Sequence, residues 1–286
     1  MNDKNPIRGY GLGSVDTVMS VDAVEQAARG QADAGPSREA LMALTDGRET
    51  AVDLSGLLAG YGRMEILHGL DLLVGKGQSL CLIGPNGAGK STVLHAIYGF
   101  ADVQGGTISV GGHDVTRLTS NQKLATAGVA YILQDNSVFP DMTVEENLLM
   151  GGFLKNRPAE AKQAAAMVFD RYGRLAERRH QKAGNLSGGE RRLLEISRAL
   201  IMEPQVLLVD EPSIGLEPRF IDMVFEILED LQKTDGKTIV MVEQNAKKGL
   251  EFADIGYVLV SGQLAKAGRG RELLDDPEVG RLFLGG

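Results

Sequence analysis

The sequence predicts an α/β fold with a mainly parallel sheet at its core and a helical subdomain inserted midway. Three observations predict it. Four short, continuously apolar runs, SLCLI from Ser79, VAYIL from Val129, VLLVD from Val206 and TIVMV from Thr238, read as buried strands. Helix-favouring stretches lie between strands, the alternation expected of a parallel sheet covered on both faces. From about Met142 to Ala183 the chain is rich in Ala, Glu, Lys, Arg and Leu, which favours a helical insert.

Along the chain, residues 1–50 are small, polar and acidic with few large apolar side chains, and read as a disordered leader. Within them VDAVEQAAR from Val21 and SREALMALT from Ser37 have the makings of short helices. Glu39 comes one residue too early to form a capping box with Ser37. From Ala51 the texture changes to apolar runs punctuated by Gly, and a domain spanning 51–286 begins. EILHGLDLLV reads as a pair of strands, STVLHAIYG as a helix, and GGTISVGGHDV as a hairpin with Gly-Gly at its turns. VAYIL runs toward Gln134, and the helical subdomain is expected at about 135–190. RRLLEISRALI is an amphipathic helix in which Arg191 and Arg192 read as solvated.

Composition limits the function. The 286 residues suit one large domain or two modest ones. Against 38 acidic residues stand 30 Lys and Arg, for a net charge of -8, so general binding of nucleic acid through its phosphates is not expected. Cys81 is the sole cysteine, which excludes an internal disulfide and suits a cytosolic setting. No apolar run approaches the ~18–20 residues of a membrane span, so any membrane role runs through a partner. The 37 glycines point to tight turns or to backbone closely approaching a ligand.

One such loop is recognisable. Gly84-Pro85-Asn86-Gly87-Ala88-Gly89-Lys90-Ser91 fits G-x-x-x-x-G-K-[ST], follows an apolar strand and opens a helix. Its glycines let backbone N–H groups turn inward as an anion nest, and the helix adds the positive end of its dipole. Lys90 can reach terminal phosphates, the Ser91 hydroxyl can coordinate Mg²⁺, and Thr92 completes the nucleotide-contacting set. Asp210 and Glu211 then end a buried strand, where unpaired charge is costly. A Mg²⁺ ion held by Asp210, with Glu211 polarising a water beside the γ-phosphate, accounts for both carboxylates.

Leu186-Ser187-Gly188-Gly189-Glu190 stands between Gln134 and VLLVDE. The order of phosphate loop, Gln134, LSGGE and VLLVDE resembles the ATP-binding cassette (ABC) ATPases over about residues 51–286. The resemblance implies a P-loop NTPase fold of ABC type, with an antiparallel β subdomain and a helical subdomain beside the mainly parallel core. It further implies that Tyr61 stacks on adenine, and that Gln134 contacts Mg²⁺ and the attacking water. Ser187, Gly188 and Gly189 match the signature that caps the γ-phosphate bound by a second ATPase subunit, homo- or heterodimeric. Two departures from the family pattern stand out. Gln244 occupies the place of the usual γ-phosphate histidine, and Ser213-Ile214-Gly215-Leu216-Glu217-Pro218 replaces a Ser-Ala-Leu-Asp type loop. With the C-terminal LFLGG, they resemble the ATPases of branched-chain amino acid importers and their urea and amide relatives.

The expected function is thus ATP hydrolysis coupled to import, with ATP and Mg²⁺ as cofactors. Permease subunits and a substrate-binding protein are the implied partners, at the cytoplasmic face of the cell membrane. Val138, Phe139, Pro140 and Met142, just after Gln134, suggest an apolar groove for a permease helix. Gln244 leaves open a regulatory module that closes on ATP and turns over slowly, and a non-transport ABC ATPase is a further alternative.

Overall fold

The computed structural model describes residues 35–134 and 137–283. The stretch VDAVEQAAR and the end of LFLGG lie outside the described residues. Helix α1 (Arg38–Leu44) begins at Ser37, whose Oγ accepts the Ala40 N–H at 3.3 Å. Its Leu41 is fully buried in the main core. Arg38 pairs with Asp53 at 2.6 Å, while Arg269 donates to the Leu44 carbonyl at 2.8 Å and pairs with Asp46. The leader expected over residues 1–50 is therefore corrected at its end, because the chain is docked on the fold from α1 onward.

Strands β1 (Thr50–Tyr61) and β2 (Met64–Gly75) form a long antiparallel pair. The segment expected as two strands is thus one. Gly69, at φ 75°, is the extra β2 residue where the register against β1 shifts between Leu57 and Leu58, so a bulge absorbs it without a turn. Strand β3 (Ser79–Ile83) is followed by α2 (Lys90–Tyr98). Then β4 (Asp102–Val110) and β5 (His113–Asp114) make the expected hairpin, turning at Gly111-Gly112. The other glycine pair, Gly105-Gly106, lies within β4 and makes no turn. These strands give a four-stranded antiparallel sheet in the order β2-β1-β4-β5.

Helix α3 (Ser120–Ala127) leads to β6 (Val129–Ile132). The helical subdomain follows as α4 (Val144–Gly151), α5 (Pro158–Arg171) and α6 (Gly173–Glu177), and ends on α7 (Gly188–Leu200). It has a core of its own around Val144, Leu148, Phe169 and Leu194. Helix α7 returns the chain to β7 (Val206–Asp210), then α8 (Pro218–Lys233), β8 (Thr238–Val242), α9 (Ala246–Phe252) and β9 (Ile255–Val260). Strand β10 (Gln263–Arg269), α10 (Gly270–Leu274) and α11 (Pro277–Phe283) close the described chain.

The second sheet has six strands in the order β10-β9-β3-β8-β7-β6, parallel throughout except for the antiparallel β9–β10 pair. Every residue of β3, β7 and β8 is buried, as their unbroken apolar runs require. Because β3, β6, β7 and β8 run in one direction, the segments leaving their C-terminal ends gather along one edge. That edge is where open α/β sheets place ligands. Among the described residues, no helix is long and apolar enough to cross a membrane.

Candidate functional site

Four segments leave that edge: the phosphate loop after β3, Gln134 after β6, Asp210-Glu211 at the end of β7, and Glu243-Gln244 after β8. The phosphate loop is held in a shape that its glycines permit. A Cβ on Gly84 would stand 2.1 Å from the Leu259 carbonyl oxygen, so only glycine fits there. Gly89, at φ 95°, is the left-handed N-cap from which α2 starts. The loop's free backbone N–H groups and the α2 N-terminus therefore face one small volume. Asn86, Gly87, Gly89, Lys90, Ser91, Thr92 and Glu211, with Ile66, line a cavity of about 280 Å³ there.

Lys90 is almost fully buried, and its Nζ donates to the Gly84 and Pro85 carbonyls at 2.9 and 3.0 Å. Burial pushes its pKa below the ordinary lysine range, while Glu211 and Asp210 pull it back up. The ammonium thus sits inside the loop, within reach of whatever anion the loop holds. Ser91 Oγ donates to Asp210 Oδ1 at 3.1 Å, which joins the end of β7 to the first turn of α2. Asp210 Oδ2 accepts from the Tyr131 hydroxyl at 2.7 Å. Burial raises the Tyr131 pKa, reinforced by the charge of Asp210, so the phenol keeps the proton it donates. Gln134 Nε2 donates to Glu211 Oε2 at 2.9 Å, and Glu211 stands at φ 43°, outside the strand it follows.

The structure brings together Lys90, Ser91, Asp210, Glu211 and Gln134 as the sequence predicts. Beside them stand Asn86, Gly87, Gly89 and Thr92 of the phosphate loop, but Tyr61, Gln244, Ser187, Gly188 and Gly189 are not brought in. Tyr61 does not line the cavity; it is exposed at the end of β1 with its hydroxyl on His95 Nδ1 at 2.5 Å. Gln244 is exposed at the turn into α9 and also lies outside the cavity lining. Ser187, Gly188 and Gly189 stand apart at the N-terminus of α7. Ser187 caps that helix reciprocally with Glu190, at 3.3 and 3.0 Å. Gly189 lies against Phe220, whose ring would stand 2.2 Å from an added Cβ.

Several residues at the site escape sequence reasoning. Arg192, expected to be solvated, is buried and donates to the Leu133 carbonyl at 2.6 Å and to Glu195 at 3.0 Å. Glu195 in turn accepts the Ser137 N–H at 3.0 Å, so α7 holds the chain on both sides of Gln134. Val138, expected to be exposed, is buried in the helical subdomain, whereas Phe139 is exposed beneath the Arg198 guanidinium. Glu243, buried after β8, accepts from Ser213 Oγ at 2.7 Å. A signal for it was present: it is an acid directly after an apolar strand, the same pattern as Asp210-Glu211.

Comparison with known proteins identifies the family. Residues 67–214 match the family described as ABC transporter. The chain is 41% identical over 226 residues to the high-affinity branched-chain amino acid transport ATP-binding protein BraG of Pseudomonas aeruginosa, covering 79% of this chain and 96% of that one. It is 32% identical to the corresponding protein LivG of Escherichia coli, covering 82% and 97% respectively. A crystal structure of a nucleotide-free ATP-binding cassette from an ABC transporter matches with a TM-score of 0.73 at 28% identity, covering 83% of this chain and all of that one. A cassette of this kind in its ADP conformation also matches with a TM-score of 0.73. The chain thus belongs to the ABC transporter family as one of its ATP-hydrolysing, ATP-binding subunits.

Proposed function

We propose that this chain is the ATPase subunit of an importer for branched-chain amino acids, converting ATP-driven closure of two such subunits into movement of membrane-embedded partners. The observation that carries the site reading is the contact between Ser91 and Asp210 at 3.1 Å, with Glu211 lining the same cavity as Lys90. Among the described residues no cluster of three or more His, Cys, Asp or Glu could hold a metal. A site with a single carboxylate and a hydroxyl suits Mg²⁺, which is usually bound by one or two protein groups plus substrate phosphates. Asp210 and Ser91 would hold it, and it would neutralise charge developing on the phosphates.

In this reading Lys90, Ser91, Thr92 and the loop N–H groups hold the phosphates, and Tyr61 stacks on adenine. Glu211 is the general base, and Gln134 orients the water that it activates. Gln244 donates a neutral hydrogen bond to the γ-phosphate in place of an imidazole. The exposed N-terminus of α7 offers Ser187, Gly188 and Gly189 to the nucleotide of a second ATPase subunit. Their separation from the chain's own cavity supports that assignment. The groove beside Phe139 receives a permease helix, which puts the chain on the cytoplasmic face of the membrane with a substrate-binding protein completing the complex. The substrate class rests on the names of BraG and LivG.

The test is phosphate release by the full chain with Glu211→Gln, with ATP binding measured alongside. Loss of the base is expected to lower turnover by about 10²–10⁴-fold with ATP affinity retained. Near-equal turnover of the two proteins overturns the assignment of Glu211. Uptake of radiolabelled leucine by cells carrying the assembled transporter tests the substrate class, and unchanged uptake in the Glu211→Gln strain counts against it.

A further inference from the structure

Glu243 is buried, with 2% of its surface exposed, yet it forms no ion pair among the described residues. Its Oε1 accepts two hydrogen bonds, from Ser213 Oγ at 2.7 Å and from the Asn245 N–H at 2.9 Å. Its Oε2 is buried without a hydrogen-bond partner. A buried carboxylate with one oxygen unsatisfied is costly to keep. The packing around it is also specialised. Gly249 of α9 lies so close that an added Cβ would stand 2.6 Å from Cys81 Sγ and 3.1 Å from Glu243 Cβ. Burial, and then the nearby Glu243 charge, push the Cys81 thiol up, so no thiolate forms beneath the carboxylate.

What Glu243 joins is informative. Ser213 opens the segment Ser213–Pro218, two residues after Glu211, and Asn245 directly follows Gln244. The Glu211 N–H is itself held by the Val242 carbonyl at 2.9 Å, one residue before Glu243. The segment after β7 is therefore fastened to the end of β8 at two points, one on either side of Pro212. One oxygen then receives both loops, so a displacement of either is passed to the other. An apolar side chain at 243 would leave the Ser213 hydroxyl and the Asn245 N–H without their acceptor.

The geometry points to Glu243 as a positioning residue for hydrolysis: it locks the loop carrying Glu211 and the inter-subunit segment to the loop carrying Gln244. This rests on the reading of Glu211 as the base. The hydrogen-bond link, rather than the charge, is what the role requires. Glutamine at 243 keeps an acceptor oxygen for both donors, whereas alanine removes it.

The test is steady-state ATP turnover and ATP Kd for the full chain carrying Ser213→Ala, Glu243→Ala, Glu243→Gln and the Ser213→Ala/Glu243→Ala pair, with Glu211→Gln as control. A loosened catalytic loop is expected to lower kcat about 10–100-fold in Ser213→Ala and Glu243→Ala, with Kd within about twofold of the parent. Glu243→Gln is expected to restore kcat to within about threefold, and the double variant to be no worse than Glu243→Ala, since both remove one link. Wild-type kcat in Ser213→Ala, or losses that multiply in the double variant, overturn the proposal. If Glu243→Ala does not fold, the contrast between Ser213→Ala and Glu243→Gln decides alone. Retained turnover in Glu211→Gln removes the reading of the base, whereas an inactive Glu211→Gln beside a fully active Ser213→Ala removes only the link.

Discussion

A charged side chain inside this fold is kept only where a donor or acceptor meets it, and Lys123 on α3 is the clearest case away from the nucleotide. It is fully buried, and its Nζ donates to the Ala96 carbonyl of α2 at 3.2 Å. Burial lowers its pKa to about 8. The unfolded chain keeps this proton up to the ordinary lysine value near ~10.4, so between the two values the unfolded state binds more protons and stability rises with pH. Denaturant unfolding at pH 7 and pH 9.5 is expected to show the wild type gaining about 2 kcal/mol relative to Lys123→Met. Parallel changes in the two proteins would show that burial does not depress this lysine. The same physics explains which site residues were legible. Asp210 and Glu211 announce themselves because two adjacent acids close a buried strand downstream of a phosphate loop. Tyr131 carries no such mark, since a tyrosine on a strand is ordinary and only the folded register points its hydroxyl at Asp210. Arg192 reads as a surface residue because its acceptor is the backbone carbonyl of Leu133, 59 residues away, which no local pattern reveals.

At the scale of elements, buried strands were the most legible part of the chain, since β3, β7 and β8 are unbroken apolar runs with every residue buried. Helix α1 was legible as a helix, since SREALMALT reads as one and Arg38–Leu44 forms it, but its docking on the sheet was not. The average composition of residues 1–50 is polar, and it conceals one fully buried Leu41 flanked by exposed neighbours. A single anchoring side chain leaves no periodic signal in so short a helix. Its energetic weight is nevertheless that of a core position. Leu41→Ala is expected to cost about 2–5 kcal/mol, read as a lower urea midpoint with an unchanged slope. A change within about 0.5 kcal/mol would show that α1 merely rests on the sheet. Helix α7 shows the opposite case, in which a visible motif understates the element. Its first turn carries the signature, its middle holds Leu133 through Arg192, and Arg198 near its end donates to the Ser137 carbonyl. One helix therefore connects the Ser187–Gly189 turn to the segment that follows Gln134.

That connection sets the behaviour of the whole molecule. Beyond α7, Tyr98, Phe100, Leu133, Phe139, Met150 and Phe153 line an open groove of about 420 Å³ between the sheet core and the helical subdomain. Phe139 and Phe153, both lining this groove, are 43% and 63% exposed. Arg198 lies over the Phe139 ring while gripping the Ser137 backbone, so a shift of α7 moves one wall of the groove. On the proposed reading, in which nucleotide draws Gln134 and Ser187–Gly189 toward phosphates, a helix seated there would be displaced by a rigid-body transmission between subdomains. Burial of aromatic anchors supplies most of the affinity of such contacts, so replacing both by Ser removes the hot spot without touching the core. The Phe139→Ser/Phe153→Ser protein is expected to melt within about 4 °C of the wild type, because neither side chain belongs to a buried core cluster. Recovery of polytopic membrane subunits with it from detergent-solubilised membranes is expected to fall at least about tenfold. Recovery equal to that of the wild type would show that the permease docks on another face, and that α7 passes its motion elsewhere.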